Sequence, residues 1–337
     1  MATLQLPELD ALERIIELGA GELESRTVAS VTLPQGDVYP IHAVLLGNPD
    51  KSVPAVGYFG GVHGLERIGA EVVIAYLQSL VMRLQWDSTL HKQLESVRLV
   101  FMPIVNPGGM AVGTRANPRG VDLMRNAPIS SEEPVPFLVG GQRISARLPW
   151  YRGAQSAPME IENQAVCEVV AAELLTRPFS VAVDCHSGFG SRDRIWFPYA
   201  HTRACIAHLA EIQALKNIFV QSNSHHRYIF EPQSQQYLAH GDLWDYLYKL
   251  SCVQTQGIFL PLTLEMGSWL WVKKNPRQLF SRHGIFNPLI EHRQQRVLRQ
   301  HQSLLDFLSR AACGHHLWLP TAENRAQFHA QALQDWY

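Results

Sequence analysis

Four apolar runs of strand length recur along this sequence, and helical patterns lie between them. These runs are VPAVGYFGG (53–61), VRLVFMPIVNPGG (97–109), FSVAVDCH (179–186) and LPLTLEMG (260–267). Strands that are apolar along their whole length are typical of parallel sheets whose two faces are both covered. The alternation therefore predicts an α/β fold, with a mostly parallel, mixed and twisted sheet and helices on both of its faces.

Shorter patterns complete the expected order of elements. A β-hairpin is predicted over 27–33 and 39–47, with a Pro-Gln-Gly-Asp turn between the strands, and another strand over 194–200. Helical patterns occur at 9–19, 65–84, 162–176, 202–219, 241–250 and 287–312. Residues 110–160 form a long irregular stretch, which is usually functional or disordered. No break in composition marks a boundary, so residues 1–337 are expected to form a single domain.

Composition narrows the possible functions. The 337 residues include 29 basic and 30 acidic side chains, so the net charge is -1 and a broad surface for nucleic acid or anionic membrane is not expected. The five cysteines form no CxxC pair, which argues against a zinc ribbon or a dithiol redox site. The start of the chain lacks the features of a signal peptide, and no apolar run reaches about 20 residues. We therefore expect a cytoplasmic protein with reduced cysteines, and its oligomeric state is left open.

Polar residues follow or close each of the four apolar runs. They are His63, Asn106, His186 and Glu265. Ligands of open α/β sheets bind beyond the carboxyl ends of the strands, so these residues are expected to converge at one edge. His63 is followed three residues later by Glu66, a spacing that lets both side chains face one metal ion at a strand-to-helix turn.

Five motifs, in this order, resemble the zinc metallocarboxypeptidases of the carboxypeptidase A type. They are HGLE (63–66), NPGG (106–109), TRANPRGVDLMRN (114–126), DCHS (184–187) and TLEMG (263–267). The resemblance spans about residues 53–268, and GVDLMRN is its most specific part. It implies a carboxypeptidase A-like fold and a divergent, bacterial-type member of the family, with 53–268 as the catalytic core and 287–312 as a C-terminal helix.

The resemblance also implies a reaction and its residues. One Zn²⁺ per chain would bind to His63, Glu66 and His186, an arrangement that activates water and polarises a carbonyl. Asp122 would orient the first histidine, and Glu265 would act as the general acid and base.

Substrate contacts follow from the same comparison. Arg115 matches the arginine that stabilises the oxyanion, with Arg119 as the alternative, and Arg125 matches the arginine that binds the terminal carboxylate of the substrate. Two residues depart from the family pattern: Met124 replaces an asparagine that helps to hold this carboxylate, and Gly108 replaces an aspartate. The substrate-capping tyrosine is left open among Tyr228, Tyr237 and Tyr246.

Three functions remain open at this point. The first is a zinc peptidase or amidase that removes a carboxylate-bearing residue from a small peptide. The second is an N-acyl amino acid amidohydrolase of the aspartoacylase or succinylglutamate desuccinylase type, which Met124 keeps open because a thioether cannot donate a hydrogen bond. The third is a zinc-binding protein without catalysis, against which the presence of Glu265 and Arg115 argues.

Other conspicuous residues are interpreted structurally. Cys185 is predicted to be a buried core thiol. The pairs His225-His226 and His315-His316 have no third partner at metal spacing and are interpreted as solvated loop histidines. Trp269 and Trp271 are interpreted as alternating residues of a strand-like run after Glu265.

Overall fold

One mixed sheet organises the molecule, for which a computed structural model describes residues 5–337. Within these residues eight strands pair in the order β1-β2-β4-β3-β5-β8-β6-β7. The strands are β1 (Leu23–Thr32), β2 (Val38–Gly47), β3 (Ala55–Gly60), β4 (Arg98–Met102), β5 (Phe179–Ser187), β6 (Arg194–Phe197), β7 (Ile229–Pro232) and β8 (Ile258–Met266). The central neighbours β4-β3-β5-β8 are parallel, whereas β1-β2, β2-β4 and β6-β8 are antiparallel. The predicted α/β fold with a mixed sheet is confirmed.

Helices connect the strands and follow the last of them. They are α1 (Pro7–Leu18), α2 (Arg67–Arg83), α3 (Ser88–Leu94), α4 (Pro107–Val112), α5 (Ile161–Glu173), α6 (Leu209–Ser222), α7 (Leu243–Gln254), α8 (Trp269–Lys274), α9 (Glu291–Cys313), α10 (His315–Trp318) and α11 (Arg325–Trp336). None of the helices described over residues 5–337 combines the length and apolar character that a membrane span requires.

The helices cover both faces of the sheet. Consecutive residues of β5 point to opposite faces of the sheet, so the contacts of Asp184 and Cys185 show which helix covers each face. Trp244 of α7 donates a hydrogen bond to Asp184, and Gly69 of α2 lies against the backbone of Cys185. Tyr58 of β3 donates to the carbonyl of Leu305 in α9. Strands β3 and β5 are buried along their whole length, as their apolar sequences predict.

Two local predictions are wrong. Residues 269–274 form the short helix α8 rather than a strand, so Trp269 and Trp271 do not alternate across a sheet. His315 is not a solvated loop residue, because it lies in α10 and stacks on the ring of Phe179 at 5.2 Å. The prediction that Cys185 is a buried thiol is confirmed, since only 1% of it is exposed.

The Asn-Pro-Gly-Gly motif begins a helix as well as ending a strand region. The side chain of Asn106 accepts a hydrogen bond from the backbone N–H of Gly109 at 2.8 Å, and Pro107 occupies the first turn of α4. This is the arrangement expected of an N-cap followed by proline. A side chain at Gly108 would meet Pro118 and Val31 at 2.5 and 2.8 Å, which explains glycine at this position.

Candidate metal centre and active site

Three predicted metal ligands meet at the carboxyl ends of two neighbouring parallel strands. His63 follows β3, Glu66 immediately precedes α2, and His186 lies near the end of β5. Their ligand atoms lie within 4.8 Å of one another, and each residue is at most 4% exposed. His63 Nδ1 is 2.9 Å from Glu66 Oε1, and His186 Nδ1 is 3.0 Å from Glu66 Oε2.

The donor set fits a catalytic zinc ion. Tetrahedral zinc bonds of about 2.0–2.1 Å place neighbouring ligand atoms roughly 3.3 Å apart. The two contacts of Glu66, at 2.9 and 3.0 Å, are close to that spacing. Two imidazoles and one carboxylate are also a ligand set of catalytic zinc sites, in which water takes the fourth position.

A buried aspartate contacts the Nε2 atom of each histidine, on the side of the ring away from Glu66. His63 Nε2 lies 3.0 Å from Asp122 Oδ1, and His186 Nε2 lies 2.7 Å from Asp184 Oδ2. Both aspartates are fully buried. A carboxylate on the far ring nitrogen fixes the tautomer and orientation of a ligating histidine, which leaves Nδ1 of each ring for the metal.

Asp184 is a site residue that the sequence analysis missed. It lies two residues before His186, so both side chains project from the same face of β5. Trp244 Nε1 donates a hydrogen bond to Asp184 Oδ2 at 2.9 Å and so holds this carboxylate in turn. The i, i+2 spacing in DCHS is the signal from which the pair could have been predicted.

The electrostatics of the cluster favour an ionised ligand carboxylate. Burial by itself raises the pKa of the Glu66 carboxyl, but His63 and His186 outweigh burial and hold that pKa well below its ordinary value. Burial likewise raises the pKa of Asp122, and Arg115 together with His63 brings it well below the ordinary range. Glu66 and Asp122 are therefore negatively charged at neutral pH, as metal ligation and histidine orientation require.

Glu265 lies beside the metal ligands on the next strand. It stands directly opposite His186 in the β5-β8 register, is 7% exposed, and accepts a hydrogen bond from the N–H of Phe189 at 2.9 Å. Burial, followed by the negative charge of Glu66, raises the pKa of Glu265 to about 8. A carboxyl group tuned toward neutrality suits proton transfer near physiological pH.

Arg115 joins the same cluster. Its Nε donates to Asp122 Oδ2 at 2.9 Å, and its Nη1 donates to Glu66 Oε1 at 3.1 Å. Arg119 does not reach the cluster. Its side chain is 74% exposed and pairs with Glu160 at 3.5 Å, so of the two predicted candidates Arg115 is the one beside the ligands.

The proposed carboxylate-binding residues lie in the turn that follows Asp122. Arg125 is 2% exposed, and it donates to the carbonyls of Val139 and Met124 at 3.1 and 3.0 Å. Met124 is buried, and its N–H donates to Asp122 Oδ1 at 3.0 Å. The Met124 side chain offers no donor at the position where the family pattern has an amide.

One of the three candidate tyrosines lies at this site. The Arg125 guanidinium lies 5.8 Å from the ring centroid of Tyr237, which also packs against Phe189. Tyr228 instead contacts His301 of α9 through its hydroxyl at 2.9 Å, and Tyr246 lies within α7. Tyr237 is thus the tyrosine placed between Arg125 and the segment that contacts Glu265.

The fold and the site together define an α/β protein with a buried His-Glu-His cluster that could hold a metal ion. Residues 37–269 match the family model described as zinc carboxypeptidase. Because the match covers more than half of the chain, this protein belongs to the zinc carboxypeptidase family.

Individual relatives are distant. Carboxypeptidase SOL1 of Arabidopsis thaliana is 35% identical over 78 residues, which are 23% of this chain and 16% of that protein. The crystal structure of thrombin activatable fibrinolysis inhibitor is similar with a TM-score of 0.67 and 18% identity, over 90% of this chain and 72% of that one. Carboxypeptidase A from Helicoverpa armigera gives 0.61 and 18%, over 90% and 71%. At these identities the structural matches establish a shared carboxypeptidase-like fold.

Proposed function

We propose that this chain is a zinc-dependent hydrolase that cleaves an amide or peptide bond next to a carboxylate-bearing residue of a small peptide. The observation that carries the proposal is the position of Glu265 directly opposite His186, beside a buried His63–Glu66–His186 cluster. A metal site that served structure alone would not need a second buried carboxyl group with a raised pKa at its side.

His63, Glu66 and His186 would hold the zinc ion, which when bound polarises a carbonyl and acidifies water. Glu265 takes a proton from the attacking water and delivers it to the leaving amine. Arg115, fixed by Asp122, places a positive charge beside the carbonyl oxygen that becomes negative during the attack.

Substrate recognition is proposed for the turn that carries Arg125. Its planar guanidinium suits a carboxylate, and Tyr237 beneath it would close over the bound residue. Met124 favours a second candidate, the N-acyl amino acid amidohydrolase, because the clamp lacks the amide donor of the family pattern. The two functions differ in the substrate: the scissile amide bond joins two amino acids in the first, and an acyl group to an amino acid in the second.

The first test is elemental analysis of the purified chain and of His63→Ala. We expect about one zinc ion per chain in the parent and loss of zinc in the variant. Peptides with free or amidated C-termini and N-acyl amino acids are then assayed with the zinc-loaded protein. Absence of zinc after reconstitution would contradict the proposal, and the preferred substrate set distinguishes the two candidates.

The second test removes the proposed base. Glu265→Gln should retain zinc and folding while turnover falls by about 10²- to 10⁴-fold. Glu71→Gln is the matched control, since burial also raises the pKa of Glu71, but Glu71 lies on α2 and accepts a hydrogen bond from Gln294 of α9. Hydrolysis by Glu265→Gln at the parent rate would show that Glu265 is not the base.

A further inference from the structure

A cavity of about 990 Å³ lies on the α9 side of the sheet. Its walls come from residues 191–193, residues 222–228, α8 and the first half of α9. None of the proposed metal ligands lines it, and neither does Glu265. We refer to it as the α9 cavity, and its volume is near the upper end of the 300–1,000 Å³ typical of small-molecule sites.

Positive charge dominates the α9 cavity. Five cationic residues line it: Arg192, Arg227, Lys274, Arg293 and Arg296. None of them forms an ion pair with any residue in the part of the chain that the structure describes. For a chain with a net charge of -1, five unpaired cations around one concavity are a strong local concentration of positive charge.

The acidic residue of the wall does not neutralise these cations. Asp193 Oδ1 accepts a hydrogen bond from the Gly267 N–H at 2.9 Å, and its Oδ2 accepts one from Gln300 Nε2 at 2.6 Å. It is the one carboxylate among the described residues that line the cavity. One carboxylate against five cations leaves the wall with a net positive charge.

Two buried nitrogens of the wall have no partner. Arg293 Nη1 and His226 Nδ1 are both shielded from solvent, and neither has a hydrogen-bond partner within residues 5–337. A buried polar atom without a partner is costly, and native proteins satisfy most such atoms. An anion in the cavity would provide the missing acceptor for Arg293.

Part of the wall is apolar and aromatic. Phe219, Tyr228, Leu270, Trp271 and Val297 line the cavity together with the cations. The ring of His226 lies nearly parallel to that of Tyr228, with 14° between their planes. Charged groups beside apolar side chains in one concavity are typical of sites for organic ligands.

We propose that the α9 cavity binds a small organic polyanion. Its negative groups contact Arg293 and Arg296, and its aromatic or aliphatic body packs against Trp271 and Tyr228. A concave site with a partly apolar wall suits a compact ligand better than an extended nucleic acid or a flat membrane surface. The site is separate from the proposed zinc centre and does not depend on hydrolytic activity.

The test uses pyrene-1,3,6,8-tetrasulfonate, an aromatic tetra-anion that offers no good zinc ligand. Its fluorescence anisotropy is titrated with the zinc-loaded full chain at low salt. We expect saturable binding of one molecule per chain, and the same affinity in His63→Ala, because the zinc centre does not contribute. Two competitors are compared at concentrations that supply the same total negative charge. Sodium sulfate should displace the probe far less well than naphthalene trisulfonate, because sulfate lacks the apolar body.

Two arginine variants of α9 distinguish binding inside the cavity from general electrostatic attraction to the surface of the helix. Arg293→Gln should weaken binding about tenfold or more, as loss of a charge-assisted contact does. Arg299→Gln removes the same charge from α9 but does not line the cavity, so its affinity should stay within about twofold of the parent. Thermal melting of both variants confirms that they fold.

Three results would overturn the proposal. The first is the absence of saturable binding at low salt. The second is an equal loss in Arg293→Gln and Arg299→Gln, which would indicate attraction to the helix surface as a whole. The third is displacement of the probe by sulfate as effective as that by naphthalene trisulfonate, which would show that the cavity does not recognise an organic body.

Discussion

Asp184 connects the His63–Glu66–His186 cluster to the core of the sheet. It is fully buried, accepts a hydrogen bond from Trp244 and contacts the far ring nitrogen of His186, so this one carboxylate fixes the orientation of the His186 ring. Partners of this kind influence metal affinity without touching the ion.

We therefore expect Asp184→Asn to lower zinc affinity by about 10- to 100-fold while the chain stays folded. The measurement is competition for zinc with a chromophoric chelator. Cys185→Ala is the control: it removes a side chain that is equally buried on the same strand but on the other face, and it should leave zinc affinity unchanged. Equal zinc affinity in Asp184→Asn and the parent would show that His186 needs no such partner.

At the residue scale the sequence predicts the ligands better than their surroundings. His63, His186 and Glu265 each follow or lie at the end of an apolar run, so strand topology brings them together. Asp184 is less apparent because an aspartate inside an apolar run has no motif of its own. The choice of Tyr237 depends on the path of a loop, which local patterns do not specify.

At the scale of elements, the turn that carries His63 and Glu66 is fitted closely to the start of α4. A Cβ atom on Gly64 would overlap the backbone of Gly109 and Met110. Asn106 Nδ2 also donates to the Val62 carbonyl at 3.1 Å. The HGLE and NPGG motifs are therefore packed directly against each other through their backbones.

Gly64→Ala should destabilise the chain by about 2–4 kcal/mol and weaken zinc binding, because the backbone on both sides of the contact has to move. Urea unfolding and zinc titration measure the two effects. Gly314→Ala is the control, since a Cβ there meets its neighbours only at 3.7 Å or more. A Gly64→Ala protein with parent stability and zinc affinity would contradict the proposed contact.

The start of α7 predicts a pH dependence of stability. The Asp242 side chain accepts from the Asp245 N–H at 2.9 Å and is 2% exposed. Burial, followed by the charge of Asp245, raises the pKa of Asp242 from 3.8 to about 7. Between these two values the folded chain keeps a proton that the unfolded chain releases, so the contribution of Asp242 to stability falls as the pH rises.

Asp242→Asn removes this titration but keeps a good N-cap. Its free energy of unfolding relative to the parent should therefore rise by at most about 2–3 kcal/mol between about pH 5 and about pH 8. Urea unfolding at both pH values tests this. Asp87→Asn is the matched N-cap control, because a hydrogen bond from Arg83 lowers the pKa of Asp87, which is therefore ionised in the folded and the unfolded chain throughout this range, so the difference from the parent should not change between about pH 5 and about pH 8. A pH-independent difference for Asp242→Asn would refute the assignment.

The elements that sequence patterns predict best are the long and buried ones. Strands β3, β5 and β8 were predicted because they are apolar throughout, and α9 because its apolar residues recur with helical spacing. The six-residue helix α8 was predicted as a strand, because so short a run gives no clear period. Strand β7 has only four residues, and α11 buries only Ala332 and Trp336, so neither leaves a strong pattern.

At the scale of the whole molecule, α11 closes the sheet near β6 and β7. Trp336 is 4% exposed, donates to the Phe230 carbonyl at 2.7 Å, and packs edge-on against Phe197 at 4.7 Å. The last helix of the chain is thereby attached to strands that come more than 100 residues earlier.

Trp336→Ala should reduce the free energy of unfolding by about 3–5 kcal/mol, as expected for truncation of a buried tryptophan. Trp86→Ala is the comparison, because Trp86 is 74% exposed and its loss should change stability by less than about 0.5 kcal/mol. Both are measured by urea unfolding. Similar values for the two variants would show that α11 contributes little to global stability.

The pairing of β5 with β8 fixes one part of the site on the sheet, whereas the other part lies on loops. His186 and Glu265 are opposite each other on hydrogen-bonded strands, so their separation follows from strand spacing, about 4.8 Å between backbones. The backbones of these two residues cannot move apart without breaking the sheet, whereas Arg115 and Tyr237 lie outside it. Substitutions in the loops can thus move Arg115 and Tyr237 while the spacing between the backbones of His186 and Glu265 stays the same.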